Sequence, residues 1–329
     1  MPAVELKNKV LAFIRKQRLI APGSTVILGV SGGPDSVVLV QVMHALRHDL
    51  SVSLHIAHFN HGLRSTSDRD QEYVEQLAGR LNIPVTVRRQ RKSIIKKKIS
   101  EDQSRQWRYS FFFDLGKQLK AGAIALAHTQ NDMAETVLMR LIRGSGLHGL
   151  RAILPQRNMA GFRVIRPLLE LRRKDIEDDI RRCKLKYCVD ETNARTDYTR
   201  NKIRLELLPR LAKEYNPNIV GVLVDLARTA AQDYDFLDRH LAQRITENVV
   251  SAKKKVTINL ISMAHEHPAM RRLLMRYAYE QLTGDMKQMA FAHIAEAENL
   301  MNSRPVGSIV DWPQSVKVIK NKNHIEFTV

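Results

Sequence analysis

Short apolar, β-rich runs alternate with helical patterns over residues 24–128, and this alternation constrains the fold more than any other feature of the chain. The runs are STVILGV, VSLHIAH, PVTVRR and AIALAH. Strands and helices that alternate in this way predict an α/β fold with a parallel sheet and helices on both faces. Ligands of such sheets bind beyond the carboxyl ends of the strands, so the residues that follow each strand are the candidate site residues.

The second half of the chain has a different pattern. Helical periodicity dominates residues 201–215, 219–248 and two stretches between 267 and 303, with little predicted strand between them. The last residues, 308–329, are typical of short strands joined by turns. We therefore predict an α/β domain over residues 1–216 and a smaller, mostly helical domain with short terminal strands over 217–329.

The charge balance favours a polyanionic partner. The 53 Lys and Arg residues outnumber the 34 Asp and Glu residues, which gives a net charge of +19. A phosphate backbone would gain affinity from such a charge through counterion release, so nucleic acid is favoured over a small neutral substrate. On charge alone, a basic soluble protein with no polyanionic partner remains the alternative.

Cysteine usage and hydropathy indicate the compartment. The chain has two cysteines, Cys183 and Cys188, and their spacing differs from that of C-x-x-C metal pairs. The first twenty residues are typical of an amphipathic helix rather than a signal peptide, and no apolar run is long enough to span a bilayer. We expect a cytoplasmic protein without a membrane segment, and a homodimer is compatible with the sequence.

A glycine-containing loop follows the first predicted strand, and a helix is predicted to begin at Val37. The loop is Ser31-Gly32-Gly33-Pro34-Asp35-Ser36. Two glycines allow close approach of the backbone to a polyanion, and the helix start adds main-chain N–H groups and its positive dipole end. Neither a Walker A loop nor a dinucleotide fingerprint is present. An ordinary strand-to-helix turn is the alternative interpretation of the loop alone.

The loop resembles the S-G-G-x-D-S pyrophosphate loop of the N-type ATP pyrophosphatases, and other segments are similar to motifs of the tRNA(Ile)-lysidine synthase family. These segments are residues 57–64 (AHFNHGLR), the positions Glu101, Arg105, Arg108 and Tyr109, residues 127–136 (AHTQNDMAET), residues 143–147 (RGSGL) and residues 190–204 (DETNARTDYTRNKIR). The resemblance covers roughly residues 24–215. One departure is Asn131, which stands where the family usually has the first of two aspartates.

The resemblance implies an adenine nucleotide alpha hydrolase-like fold and an ATP-consuming reaction. It also implies that residues 1–216 form the catalytic domain and that residues 217–329 form a tRNA-binding domain. The wobble cytidine of the CAU anticodon of tRNA(Ile) would become lysidine with free L-lysine, through an adenylylated tRNA. A carboxylate beside bound phosphates needs a cation, so Asp35 is the candidate Mg²⁺ ligand. The candidate residues for ATP binding are Ser31, Gly32, Gly33, Pro34, Asp35, Ser36, His58, His61 and His128.

Two acids and one arginine are candidates for catalysis together with Asp35. Asp132 and Glu135 are spaced so that both carboxylates lie on one face of a helix. Either acid could hold the lysine ammonium and accept its proton, and Arg105 could stabilise charge on the phosphate. The alternative interpretation of the two acids is an acidic first turn that complements the helix dipole.

Basic residues are candidates for contact with the RNA backbone. The stretch from Arg88 to Lys98 has seven basic residues and no acid. Charge runs are usually solvated, but with this net charge RNA contact is favoured. Internal pairing is an alternative for Arg204. The full set is Arg64, Arg88, Arg89, Arg91, Lys92, Lys96, Lys97, Lys98, Arg143, Arg195, Arg200 and Arg204.

Three other functions are compatible with parts of this pattern. A tRNA thiolation enzyme would share the loop, but such enzymes use cysteine persulfides or clusters, and this sequence has no C-x-x-C. Amide-forming synthetases of the class usually have a glutaminase partner and lack the high positive charge. A non-catalytic RNA-binding module would keep the basic residues, but would have no reason to keep Asp35, Asp132 and Glu135 at strand ends.

Overall fold

The structure, a computed structural model, describes residues 2–62, 66–90, 101–189, 199–286 and 288–329. The chain divides into two compact units, Met1–Ala231 and Gln232–Val329. The sequence analysis placed the boundary at residues 216 and 217, before a long helix. The division between the units lies inside this helix, Ile219–Asn248.

The first unit is built on a six-stranded sheet in the order β3-β2-β1-β4-β6-β5. All neighbouring strands are parallel except β5, which pairs antiparallel with β6. The strands are β1 (Thr25–Gly29), β2 (Ser53–Asn60), β3 (Val85–Arg89), β4 (Ala123–Ala125), β5 (Gln156–Met159) and β6 (Phe162–Ile165). The predicted parallel sheet is confirmed, and the hairpin of β5 and β6 adds an edge that the sequence analysis did not identify.

Helices surround this sheet and continue to the unit boundary. They are α1 (Val4–Lys16), α2 (Pro34–Leu46), α3 (Ser67–Leu81), α4 (Glu101–Gln118), α5 (Gln130–Ile142), α6 (Leu147–Leu150), α7 (Arg173–Cys183), α8 (Thr199–Lys202), α9 (Leu208–Glu214) and α10 (Ile219–Asn248). A π-helix, Ile203–Leu207, lies between α8 and α9.

The two faces of the sheet bury separate apolar clusters. Successive side chains of a strand point to opposite faces. In β1, Val26 and Leu28 pack into the cluster that includes α1, α2 and α5. Ile27 packs into the second cluster with the α4 residues Phe111 and Phe112. Burial on both faces explains why β1 has a continuous apolar sequence rather than an alternating one.

The second unit contains a five-stranded antiparallel sheet in the order β7-β8-β11-β10-β9. Its strands are β7 (Val249–Ala252), β8 (Lys255–Asn259), β9 (Ile309–Trp312), β10 (Val316–Lys320) and β11 (His324–Thr328), and its other helices are α11 (Leu260–His265), α12 (Pro268–Thr283) and α13 (Phe291–Ser303). The sequence analysis identified the three terminal strands and missed β7 and β8. Within the described residues, no helix has both the length and the apolar character that a membrane span requires.

Gly29 tests the close packing at the carboxyl end of β1. A Cβ atom at this position would lie 2.8 Å from Cδ2 of Leu126 and 2.9 Å from Cζ of Phe112, both in the buried core. We expect Gly29→Ala to lower the free energy of unfolding by about 1–3 kcal/mol, because the added methyl group would overpack the core. Urea unfolding measures this change.

Gly79→Ala is the matched control. Gly79 lies in α3, and a Cβ atom there would have no neighbour within 4 Å. Alanine should therefore stabilise the helix by about 0.4–1 kcal/mol. Equal effects of the two substitutions would contradict the packing argument.

Candidate active site

The segment from Ser31 to Ser36 contains the turn after β1 and the first turn of α2, which begins at Pro34 rather than at the predicted Val37. Gly32 has a φ of +91°, a conformation that favours glycine. Its carbonyl oxygen accepts a hydrogen bond of 2.9 Å from the main-chain N–H of Cys188. A Cβ atom at Gly32 would lie 3.4 Å from Sγ of Cys188. The segment at Cys188 therefore packs against Gly32 and stabilises the conformation of the turn.

Serine side chains hold the loop in shape. The Ser36 hydroxyl donates to the Gly33 carbonyl at 2.8 Å, and the Oγ atoms of Ser31 and Ser36 lie 3.3 Å apart. Gly33 is the N-cap of α2 and provides no side-chain cap, with Pro34 in the first turn. The first N–H groups of a helix have no intrahelical partner. A helix start without a side-chain cap suits an anion such as phosphate.

Asp35 lies in the first turn of α2 among other charged groups. Burial, followed by the Asp132 carboxylate, raises the pKa of Asp35 to about 6, with a smaller contribution from Glu135. Arg173 and Arg204 act in the opposite direction. Burial and the neighbouring acids destabilise the ionised form of Asp35, and a bound divalent cation would stabilise it. Asp35 therefore fits the role of a Mg²⁺ ligand.

The other ligands of such an ion would come from outside the protein. In the part of the chain that the structure describes, no group of three His, Cys, Asp or Glu side chains forms a metal site. Mg²⁺ is often held by one or two carboxylates, with phosphate oxygens and water completing its shell. This arrangement matches a single carboxylate next to a phosphate-binding turn.

Asp132 and Glu135 lie in the first turns of α5, where both are buried and ion-paired with Arg200 and Arg204. The Arg200 Nε donates to Glu135 at 2.9 Å, and its Nη2 donates to Asp132 at 2.7 Å. The Arg204 Nε donates to Glu135 at 2.5 Å, and its Nη2 donates to Asp132 at 3.1 Å and to Glu135 at 3.0 Å. These four side chains are called the ion-pair cluster below.

The ion-pair cluster changes the interpretation of its two arginines. The sequence analysis assigned Arg200 and Arg204 to RNA, with internal pairing as an alternative for Arg204 alone. Both guanidinium groups instead contact the two acids. α8 contributes Arg200, and the π-helix contributes Arg204. Contact of either arginine with RNA would require these ion pairs to break.

Asp132 also caps its own helix. Its Oδ2 accepts a hydrogen bond of 2.8 Å from the N–H of Thr129 and one of 3.0 Å from the Thr129 hydroxyl. Burial would raise the pKa of Asp132, but His128, Arg200 and Arg204 together with the Thr129 N–H outweigh it and lower that pKa. Asp132 is therefore a stable anion, and both of its oxygens already accept hydrogen bonds.

The three strand-end histidines lie on the two neighbours of β1, with His58 near the end of β2, His61 directly after β2 and His128 after β4. Nδ1 of His58 lies 2.9 Å from the carbonyl oxygen of Val30, directly before the loop. The ring of His61 meets the ring of Phe59 edge to face. Nε2 of His58 and Nδ1 of His128 are buried without a hydrogen-bond partner. Such orphaned nitrogens fit a pocket whose ligand would supply the partner.

Asn131 has a structural role that does not need a charge. Its Oδ1 accepts a hydrogen bond of 2.9 Å from the main-chain N–H of Arg173, at the start of α7. An amide oxygen and a carboxylate oxygen both accept such a bond. The departure from the family's usual aspartate therefore keeps this contact between α5 and α7.

The remaining candidates lie apart from the ion-pair cluster. Arg88 forms an ion pair with Asp114 at 2.8 Å, and Arg89 forms one with Asp68 at 2.7 Å, so either would have to exchange an acid for phosphate to bind RNA. Arg143 is exposed. Arg105 is also exposed, and its guanidinium lies 5.4 Å from the ring centre of Tyr109. The other candidates lie outside the described residues, namely Arg64, Arg91, Lys92, Lys96, Lys97, Lys98 and Arg195.

Sequence analysis missed several residues around the site. Arg173 affects the charge of Asp35, and Cys188 supports Gly32. Arg166 directly follows β6 and is buried. The rule that site residues follow strands would have identified Arg166 if β6 had been predicted. No local pattern marks the other two.

Comparison with known proteins agrees with this geometry. A family model for a PP-loop domain matches residues 2–211. The U34-tRNA thiolase NcsA from Methanococcus maripaludis has a similar fold, with a TM-score of 0.58 and 18% identity over 69% of this chain and 78% of that one. The sheet order, the turn after β1 and the matching model therefore place the first unit in the PP-loop class of ATP-using proteins.

Two relatives define the family more narrowly. The tRNA(Ile)-lysidine synthase of Dehalococcoides mccartyi is 37% identical over 94% of this chain and 67% of its own length. That of Clostridioides difficile is 34% identical over 98% of this chain and 70% of its own length. The chain belongs to the tRNA(Ile)-lysidine synthase family, and it is an enzyme.

His128 predicts a pH-dependent contribution to stability. Burial lowers the pKa of His128 from 6.5 to about 3. At about pH 5 the imidazole is neutral in the folded protein and largely protonated in the unfolded chain. The unfolded state thus binds more protons, so acidification from about pH 7 to about pH 5 lowers stability by about 1–2 kcal/mol through this residue. We expect His128→Asn to remove that loss in urea unfolding at the two pH values.

The control is His265→Asn, at an exposed position of α11. This substitution should leave the pH dependence of stability as in the wild type. An unchanged pH dependence in the His128 variant would show that the imidazole is hydrated in the folded state.

Proposed function

We propose that this enzyme converts the wobble cytidine of the CAU anticodon of tRNA(Ile) to lysidine, with ATP and free L-lysine as cosubstrates. The observation that carries the proposal is the placement of the turn after β1, whose Asp35 faces the ion-pair cluster of Asp132, Glu135, Arg200 and Arg204. A phosphate-binding turn and a buried acidic pair at one edge of a sheet suit a reaction that consumes ATP and binds an amine. Because the substrate is tRNA, we place the reaction in the cytoplasm.

ATP would bind through the turn at residues 31–36. The main-chain N–H groups and the uncapped start of α2 would hold the pyrophosphate portion. His58 and His128 would offer their unpaired ring nitrogens to the nucleotide. Asp35 would hold Mg²⁺, and this ion would neutralise charge on the phosphate oxygens.

Cytidine must be activated before an amine can replace its C2 oxygen. That oxygen is a poor leaving group, so it first attacks the α-phosphorus of ATP, and pyrophosphate leaves. The ε-amino group of lysine then attacks C2, the C–O bond breaks and AMP leaves. Arg105 would stabilise negative charge on the transferred phosphate. An anticodon-loop base is already unpaired, so it can enter a pocket at low cost.

The lysine amine must lose a proton before it attacks. Its pKa is near 10.4, so about one molecule in a thousand or fewer is neutral at pH 7. Asp132 or Glu135 would hold the ammonium group and accept its proton. In the described structure both acids are occupied by Arg200 and Arg204. Lysine binding would therefore exchange one cation for another in the ion-pair cluster, without leaving the acids unpaired.

Cysteine content argues against thiolation, the nearest rival function. The sequence has two cysteines. Cys188 is buried against the loop, and burial raises the pKa of its thiol to about 11. A thiol in this state is a poor nucleophile and a poor cluster ligand. The structural similarity to a thiolase therefore reflects the fold.

Labelled lysine tests the proposed reaction directly. We expect the enzyme, ATP and Mg²⁺ to incorporate labelled lysine into a tRNA(Ile) transcript with a CAU anticodon. A methionine tRNA transcript with the same anticodon is the control and should stay unlabelled. Equal labelling of both would contradict the specificity, and the absence of label from both would contradict the reaction.

Glu135→Gln tests whether the Glu135 carboxylate acts on lysine rather than in ATP binding. The amide keeps the shape but removes the charge that holds the ammonium, so we expect lysine incorporation to fall by about 100-fold or more, as for loss of an acid–base group. ATP affinity should stay within about twofold of the wild-type value, because the phosphates bind at the loop and Glu135 makes the smallest charge contribution to Asp35.

The matched control is Glu214→Gln, which removes a carboxylate from an exposed ion pair with Arg210. It should leave lysine incorporation unchanged. A thermal melt of each variant detects unfolding. If the Glu135 variant is folded and keeps its rate, Glu135 has no part in the reaction.

A further inference from the structure

Four arginines interact electrostatically beside the β5–β6 hairpin. Arg105 comes from α4, Arg140 from α5 and Arg157 from β5, and Arg166 directly follows β6. No acid pairs with any of them among the described residues, whereas Arg200 and Arg204 each contact two carboxylates. These four residues are called the arginine group below.

Arg166 is the buried member, with 5% of its surface exposed. Its Nη1 donates to the carbonyl oxygen of Leu154 at 2.7 Å. Its Nε has no partner. Burial of a cation without an anion is costly. A protein that keeps such a cation is suited to an anion that binds from outside.

Arg140 is half-buried and lies next to the same connection. Its Nη1 donates to the carbonyl oxygen of Gly149, in the segment that leads to Leu154 and β5. Burial lowers the pKa of Arg140, and Arg151, Arg157 and Arg105 lower it further. Arg105 and Arg157 also act on Arg166. The four guanidinium groups therefore share one region of positive potential.

The arginine group extends from the interior to the surface. Arg166 is buried and Arg140 is half-buried, whereas Arg105 and Arg157 are exposed. A continuous path of cations from solvent to a buried guanidinium suits a chain of phosphates that passes along the surface. Guanidinium groups match phosphate oxygens through paired N–H donors.

We propose that the arginine group binds the sugar-phosphate backbone of the RNA substrate, with Arg166 and Arg140 as its inner anchors and Arg157 as its outer contact, next to Arg105 at the transferred phosphate. This inference rests on the proposed function, which supplies an RNA substrate. A nucleotide triphosphate is a weaker candidate for this site, because the loop at residues 31–36 already provides a phosphate site. Four cations on separate elements also span more than one phosphate group.

Salt dependence of RNA binding tests the arginine group. Each lost phosphate contact should reduce the slope of log affinity against log salt concentration by about 0.7–0.9. We expect this reduction for Arg157→Gln, at an exposed position where folding is not at risk, and for Arg166→Gln. Arg166→Lys keeps the charge and should retain most of the slope. ATP affinity, measured without RNA, should not change in Arg157→Gln.

Arg181→Gln is the control, because it changes the net charge of the protein by the same amount as Arg157→Gln. Arg181 is 73% exposed on α7 and forms an ion pair with Asp178. Its loss should leave the slope unchanged. An equal reduction in the control would mean that net charge alone sets the slope, and would overturn the proposal. Unchanged slopes in Arg157→Gln and Arg166→Gln would also overturn it, as would weaker ATP binding with normal RNA binding. If Arg166→Gln does not fold, the salt dependence of RNA binding by Arg157→Gln alone tests the proposal.

The wild-type protein separates this inference from the proposed function. If it neither binds tRNA nor incorporates lysine, the proposed function fails and the inference fails with it. If it makes lysidine while the variants keep the wild-type slope, only the inference about the arginine group fails.

Discussion

The pairing of two buried acids with two arginines is the interaction on which the rest of the site depends. Asp132 and Glu135 could not remain ionised in the interior without cations, because transfer of an isolated carboxylate from water is costly. Arg200 and Arg204 provide those cations from a segment that follows far later in the chain. The ion-pair cluster therefore stabilises the acids and also fixes the segment of α8 and the π-helix against α5.

The same cluster sets the electrostatics of the phosphate site. Asp35 lies close enough to Asp132 and Glu135 for their charges to raise its pKa, and close enough to Arg204 and Arg173 for theirs to oppose that shift. The loop and the acidic pair thus form one charge network rather than two separate sites. A cation bound at Asp35 therefore alters the free energy of ionisation of Asp132 and Glu135, and a cation bound at these two acids alters that of Asp35.

Local periodicity explains what could be predicted from the sequence. The strands from β1 to β4 are short apolar runs, the helices between them have helical periodicity, and each was identified. The strand β5 has the polar sequence QRNM at the sheet edge, and β8 buries only Val256 and Ile258 beside a run of lysines. Pairing with other strands stabilises them, β5 in a tight hairpin with β6 and β8 with the distant β11, and no local apolar pattern marks either strand.

The same difference between local patterns and long-range contacts separates the site residues that were predicted from those that were missed. Residues directly after predicted strands, such as Asp35 and His128, were identified because the topology of a parallel sheet is enough to place them. The pairing of Arg204 with Glu135 spans 69 positions in the chain, and nothing near either residue indicates the other. The ion pairs of Arg88 and Arg89 were missed for the same reason, since Asp114 and Asp68 lie on other elements.

The π-helix has a consequence for how this protein can change during evolution. A π-helix has one residue more per turn than the surrounding α-helix, so deletion of one residue restores regular winding. Each residue added or removed rotates the positions beyond it by about 100° around the axis. Arg204 lies within this wider turn, whereas Arg200 lies before it. The segment should therefore tolerate exchange of side chains on its outer surface far better than any change of its length.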